Sequence, residues 1–312
     1  MSRIHDALKK AEQERLGASR PPEGPDSPAP RVPAAVVTEG ASPRTVEEPV
    51  VMPRRPAPVV PSTPASDGLL ERCTVAAWNP DPKRIIIPQQ AGSALGMEEF
   101  RSLRSRLYQT RDTAPLRTVL ITSALPQEGK TFVAANLAHA IVRQRERRVL
   151  LIDGDLRWSR LHQLLGAQLS PGLTEYLRGE ADELAILQRG PLENLFFIPG
   201  GKSVSNPSEL IANGRLKALL DRLAPLFDWV IIDSPPAITM SDASLLADLS
   251  DGVLMVVAAG RTPFDMAQKT RELFRKVRLL GVALNQVEPH TTGSSYYYGY
   301  YDGGKNKKNG KE

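Results

Sequence analysis

The chain has 312 residues, 41% hydrophobic and 24% charged, enough to bury at least one full core. Its formal net charge is +5, and its single cysteine, Cys73, excludes an internal disulfide framework and fits a reducing compartment. No apolar run approaches the roughly 18 residues that span a bilayer, and the N-terminus has neither an apolar h-region nor a cleavage site. A soluble, intracellular protein is expected, with any membrane contact made through a partner.

Residues 1–17 predict a short helix. Ser2 can cap it, Ala, Leu, Lys and Glu favour it, and Gly17 can close it. Its apolar stripe of Ile4, Ala7, Leu8 and Ala11 is narrow, so it is either a frayed tail or a docking helix that folds on a partner. Residues 18–80 read as a disordered linker, because 13 of the 27 prolines lie between Pro21 and Pro64. That composition buries too little apolar surface to offset chain entropy. Residues 81–290 are then the folded domain, and residues 291–312 a flexible tail.

The folded region opens with a helix over Ser93–Tyr108. Glu98, Arg101 and Arg104 share one face of it at i, i+3 and i+6. A solvated charged face is the plainest reading of that spacing. Apolar, β-prone runs follow at Thr118–Thr122, Arg148–Ile152, Leu195–Ile198, Trp229–Ile232, Gly252–Val257 and Leu280–Leu284. Helical stretches separate them, notably Lys130–Arg143, Pro207–Leu223, Ser241–Leu249 and Pro263–Val277. The strands are apolar throughout, as expected where both faces of a sheet are covered. The alternation predicts an α/β domain with a mainly parallel sheet flanked by helices, its ligand beyond the carboxyl ends of the strands. Arg143, Arg145, Arg147 and Arg148 end the first of these helices. Cations there face the negative end of the helix dipole, and no aromatic residues interleave them as a nucleic-acid surface would require.

The first strand runs into Ala124, four further residues, and then Gly129-Lys130-Thr131 before a helix. This is the phosphate-loop pattern, with alanine in the first glycine place, in its strand–loop–helix setting. Backbone N–H groups of Gln127, Glu128, Gly129 and Phe132, with the helix N-terminus, are placed to face phosphates. Lys130 would reach the β- and γ-phosphates, and Thr131 would set its hydroxyl on magnesium. Two further strands end in acid: Asp153-Gly154-Asp155-Leu156-Arg157 and Asp233-Ser234-Pro235-Pro236. In a parallel sheet these carboxylates gather beside the loop. Asp233 suits magnesium, directly or through water, and Asp153 or Asp155 could accept a proton from an attacking hydroxyl. Asp155 could instead cap the next helix. Trp158 and Trp229 read as packing, and neither His139 nor His162 has ligand partners at metal-binding spacing.

These three motifs, in this order, resemble the cytoplasmic domain of the bacterial tyrosine kinases, autokinases of capsule and exopolysaccharide synthesis and a branch of the MinD/ParA-type phosphate-loop ATPases. The family's second motif, apolar residues then D-x-D-x-R, stands here as Val149–Arg157. Its third, apolar residues then D-x-x-P, stands as Val230–Pro236. The likeness covers roughly residues 94–301, and the opening residues 1–15 look like the start of exopolysaccharide-locus members. The resemblance implies that Lys130 and Thr131 hold ATP and Mg²⁺, that Asp153 is the base, and that Asp155 and Asp233 support the metal. It places Asn285 where related ATPases contact adenine. It assigns Glu98, Arg101 and Arg104 to ring assembly. It makes Tyr296, Tyr297, Tyr298, Tyr300 and Tyr301, five of the seven tyrosines, the phosphoacceptors. It implies a membrane polysaccharide co-polymerase, or chain-length determinant, as anchor and activator, a protein-tyrosine phosphatase as antagonist, and no nucleic acid. The protein would sit at the inner face of the plasma membrane through that partner. A positioning ATPase of the MinD/ParA type is the alternative, but it uses a lysine five residues before the loop lysine. That place is Leu125 here.

Overall fold

The computed structural model describes residues 64–80, 85, 93–144 and 146–287. The expected N-terminal helix, most of the proline-rich stretch and the tyrosine cluster lie outside the described residues. The strands are β1 (Thr74–Val75), β2 (Thr118–Ser123), β3 (Val149–Asp153), β4 (Gln188–Arg189), β5 (Leu195–Ile198), β6 (Trp229–Asp233), β7 (Gly252–Ala258) and β8 (Leu279–Asn285). They form one sheet in the order β1-β4-β5-β3-β6-β2-β7-β8. All neighbours are parallel except β4 and β5. The helices are α1 (Pro64–Glu71), α2 (Ser93–Thr113), α3 (Lys130–Val142), α4 (Leu161–Leu165), α5 (Leu173–Arg178), α6 (Glu183–Ile186), α7 (Pro207–Ala212), α8 (Arg215–Leu223), α9 (Asp242–Ala247) and α10 (Phe264–Leu273).

Alternation along the central strands divides the apolar side chains between two cores. Val119, Ile121, Val149, Leu151, Trp229 and Ile231 face α2, α3 and α4. Leu120, Leu150, Ile152, Val230 and Ile232 face α5, α7, α8 and α9. Both faces of the centre are thus covered, and its strands are buried at every position, apolar except for the Thr and Ser residues of β2 and the acids that end β3 and β6. The edge departs from that expectation. In β8, Val282 and Leu284 are more than half exposed, because no later strand or helix among the described residues covers them.

The linker assigned to residues 18–80 runs too far. The helix α1 and strand β1 lie inside it and pack on the domain: Leu70 and Cys73 are buried, and Trp78 packs edge-on against Phe197 with ring centres 5.9 Å apart. The Cys73 Sγ–H donates to the Leu187 carbonyl at 3.0 Å, and burial pushes its thiol up to about 11. Leucines and a tryptophan at the end of a proline-rich stretch supply the apolar area that the prolines do not. The expected helix over Pro207–Leu223 is broken into α7 and α8, because Gly214 takes a positive φ of 83° between them. The helix at Ser93 runs five residues longer than expected, to Thr113.

Candidate active site

The site lies where β2, β3 and β6 end side by side. The loop after β2 turns through Gln127, at φ 65°, and Gly129, at φ 92°, before α3 begins at Lys130. A β-carbon on Gly129 would sit 2.0 Å from Asn285 Nδ2, so glycine is required by both torsion and space. The first turn of a helix presents N–H groups without intrahelical acceptors, which suits phosphate oxygens.

Several side chains hold the loop in this shape. The Glu128 carboxylate is buried, accepts from the Leu125 N–H at 2.8 Å, and accepts a short bond from the Thr262 hydroxyl after β7. Asn285 Nδ2 donates to the Glu128 carbonyl at 2.9 Å, and Gln286 Nε2 donates to the Gln127 carbonyl at 3.0 Å. Glu128 and Asn285 therefore brace the loop with their side chains. The Phe132 ring packs edge-on against Phe100 of α2, so this residue offers phosphate its backbone and not its ring. Among these residues, Thr262 and Gln286 carried no sequence signal, since their partners lie more than 130 positions away.

Three buried carboxylates surround Lys130. Its Nζ lies 3.4 Å from Asp155 Oδ2 and donates to Thr131 Oγ1 at 3.4 Å. Burial alone would lower the lysine pKa, but Asp233, Asp155 and Asp153 together raise it, so the ammonium stays charged. Asp153 and Asp233 end adjacent strands in register. Burial pushes the Asp153 carboxyl up to about 7, with the Asp233 charge adding to the rise. Burial likewise pushes Asp233 to about 6, opposed by Lys130 and the Thr131 hydroxyl. Asp233 Oδ1 is buried with no hydrogen-bond partner among the described residues, and hard oxygen donors of this kind fit magnesium. Among the described residues no three His, Cys, Asp or Glu side chains form a complete metal cage. Magnesium at a phosphate site ordinarily takes one or two protein oxygens and completes its shell with phosphate and water.

Asp153 also does structural work that its position in the motif does not reveal. Its Oδ2 accepts from Ser159 Oγ at 2.6 Å and from the N–H groups of Arg160 and Leu161 at 3.1 Å. Its Oδ1 accepts the Asp155 N–H at 3.2 Å. The carboxylate that holds the start of α4 is thus Asp153, while Asp155 holds the turn between them by accepting the Trp158 N–H at 3.1 Å. Arg157 Nε meets Asp242 Oδ2 at 3.0 Å, which ties this turn to α9. Trp229 is fully buried, as expected, and lies edge-on to Tyr108 and under Arg111. Trp158 is not packing: its side chain stands in solvent, 59% exposed.

On α2, Glu98 and Arg101 form an exposed ion pair at 3.0 Å. Arg104 does not share their free face. Its Nη1 donates to the Ala140 carbonyl of α3 at 2.6 Å, which docks α2 on the loop helix. A cavity of about 230 Å³ opens there, lined by Arg101, Arg104, His139 and Arg143 among others. Tyr296, Tyr297, Tyr298, Tyr300 and Tyr301 lie outside the described residues.

A left-handed glycine before a helix, a buried lysine and acidic ends on two neighbouring parallel strands define a phosphate-loop nucleotide-binding domain of the α/β type. The AAA domain family matches residues 127–283. The chain is 31% identical over 223 residues to the tyrosine-protein kinase YwqD of Bacillus subtilis, covering 70% of this chain and 92% of that protein. It is 35% identical over 206 residues to the putative tyrosine-protein kinase EpsB of Ralstonia nicotianae, of whose length it spans 27%. Among solved structures, the chimerical protein CapA2B2 superimposes with a TM-score of 0.62 at 30% identity, over 72% of this chain and 98% of that one. The kinase domain of the Escherichia coli tyrosine kinase ETK superimposes at 0.59 and 31% identity, over 63% and 77%. The chain belongs to the family of bacterial tyrosine-protein kinases.

Proposed function

We propose that this chain is an ATP-dependent protein-tyrosine autokinase that phosphorylates its own cluster of Tyr296, Tyr297, Tyr298, Tyr300 and Tyr301. The observation that carries the reading is the charged pocket at the loop: Lys130 held by Asp155 and flanked by buried Asp153 and Asp233. Its relatives, named as tyrosine-protein kinases, support the choice of acceptor. The loop backbone and Lys130 would hold the β- and γ-phosphates of ATP. Thr131 and Asp233, with Asp155 beside them, would hold Mg²⁺, which supplies positive charge to the phosphate oxygens. Asp153, with a pKa near neutrality, accepts the phenolic proton as the tyrosine oxygen bonds to the γ-phosphorus and the bond to the ADP oxygen breaks. Leu125 stands where a positioning ATPase would use lysine, which favours the kinase over that alternative.

We further read the protein as acting in exopolysaccharide or capsule assembly at the inner face of the plasma membrane. No helix among the described residues is long and apolar enough to cross a membrane. A membrane polysaccharide co-polymerase would anchor and activate it, a ring of copies would assemble through Glu98 and Arg101, and a protein-tyrosine phosphatase would reset it. Purified full-length protein incubated with ATP and Mg²⁺, then probed for phosphotyrosine, tests the central claim. Labelling confined to residues 296–301 supports it. Hydrolysis of ATP with no phosphotyrosine at any protein concentration, with the membrane partner's cytoplasmic fragment present, overturns it.

A further inference from the structure

A tryptophan in the open beside a buried catalytic pocket is a costly placement. Large aromatic side chains carry much of the apolar area that folding removes from water. Trp78 and Trp229 follow that rule, at 8% and 0% exposed, whereas Trp158 is 59% exposed. Among the described residues its indole has no ring or hydrogen-bond partner. Its backbone, in contrast, is firmly held. The Trp158 N–H donates to Asp155 Oδ1 at 3.1 Å, and Asp155 Oδ2 lies 3.4 Å from Lys130 Nζ. On one side Arg157 is fixed by Asp242 at 3.0 Å and by the Ser205 carbonyl at 3.1 Å. On the other, Ser159 is fixed by Asp153 at 2.6 Å. The indole is therefore an exposed aromatic surface on a firmly held backbone, and that backbone is one carboxylate away from the lysine that would hold the transferred phosphate.

We infer that Trp158 is the platform on which an acceptor tyrosine of residues 296–301 stacks before transfer. This rests on the kinase reading above. The ligand chemistry follows from the sequence: that segment places five tyrosines within six positions, separated by one glycine. Aromatic rings pair edge-on or offset with an indole, and the stacking is tolerant of sequence, as a run of interchangeable acceptors requires. A flat, exposed ring would also bind the phenol face without enclosing its oxygen, so successive tyrosines can exchange.

The test uses the full chain with its five tail tyrosines replaced by serine, so that an added peptide of residues 291–312 is the only acceptor from the tail. Trp158→Ala should raise the peptide KM about three- to ten-fold while the KM for ATP stays put, and Trp158→Phe should recover most of the loss. In parallel, acrylamide quenching of tryptophan fluorescence reports Trp158, the exposed one of the three. The peptide should protect it, and a peptide with serine at the five tyrosines should not. An unchanged peptide KM in Trp158→Ala, an ATP KM that rises in step with it, or undiminished quenching at saturating peptide each overturns the platform. Peptide labelling with Trp158-independent kinetics leaves the kinase reading intact. Absence of any labelling by the chain with Trp158 in place, with the membrane partner's cytoplasmic fragment present, overturns that reading and the platform with it.

Discussion

Replacing Lys130 by methionine separates the two tasks of this side chain, because methionine keeps its length and loses its charge. In the structure the ammonium sits in a cluster of three carboxylates, with Lys130 and Asp155 side chains only 14% and 6% exposed. Breaking a buried pair from one side leaves uncompensated charge and costs about 3–5 kcal/mol. Protonation of the acids limits that cost, since neutralising a carboxyl costs about 1.4 kcal/mol for each pH unit above its pKa. Asp153 and Asp233 already titrate near 7 and 6, and loss of the lysine raises both further. The destabilisation is therefore largest at alkaline pH and shrinks as the pH falls toward 6. At about 2–4 °C per kcal/mol for a domain of this size, the melting temperature of the nucleotide-free variant should drop by roughly 6–20 °C at pH 8, and by less than half of that at pH 6. Phosphotyrosine labelling should fall by at least about 100-fold at either pH, because the charge at the transferring phosphate is gone. Thermal melts at the two pH values and a labelling time course on the same preparations check both halves. A variant that melts like the wild type at pH 8 would refute the electrostatic role, and one that labels itself at the normal rate would refute the assignment of the loop.

Asp153→Asn should keep ATP affinity while slowing transfer by about 10²–10⁴-fold, measured as labelling rate at saturating ATP. It should also cost about 1–3 kcal/mol, because the new amide faces donors at Asp155, Ser159, Arg160 and Leu161. Gly129→Ala forces an alanine to φ 92° and pushes Asn285 off the Glu128 carbonyl, so about 1–2 kcal/mol of stability and much of the nucleotide affinity should be lost, read by melts with and without ATP. Glu175 sits at the start of α5, where burial would raise its pKa but hydrogen bonds from Gly172, Lys202 and Ser170 hold it below 4.5. A depressed acid stabilises above its unfolded pKa and loses that contribution as the pH falls through the folded one. Glu175→Gln should therefore melt lower than wild type at pH 7, by an amount that narrows as the pH drops below 4.5.

Much of this molecule was legible in its sequence because the signals are local. The phosphate loop carries its own turn residues, and β3 and β6 end in acids whose neighbours in a parallel sheet follow from topology. Six of the eight strands are apolar runs of at least four residues, long enough to register. The strands β1 and β4 have two residues each, and pairings such as Thr74↔Gln188 span more than a hundred positions, so no periodicity announces them. The proline count also hid α1, since composition averages over a window and Leu70 and Cys73 act individually. Side-chain commitments were the least visible. Spacing placed Arg104 with Glu98 and Arg101, but its position over α3 depends on how two helices cross. Likewise the hydrogen bonds that make Asp153 both an acid and a brace come from Ser159 and two N–H groups that the motif does not include.

Asn285 and Gln286 bind the phosphate loop and also mark the end of β8, two residues before the described residues stop at Val287. The segment bearing the tyrosines therefore takes its origin beside the nucleotide cradle. From Val287 to Tyr296 there are nine residues, a tether of at most about 32 Å. A reach of that size does not by itself select between a molecule's own pocket and that of an adjacent copy. The choice falls instead to direction, meaning which copy's loop faces the end of β8, and mounting many copies in one assembly would set that direction without altering a single residue of the loop.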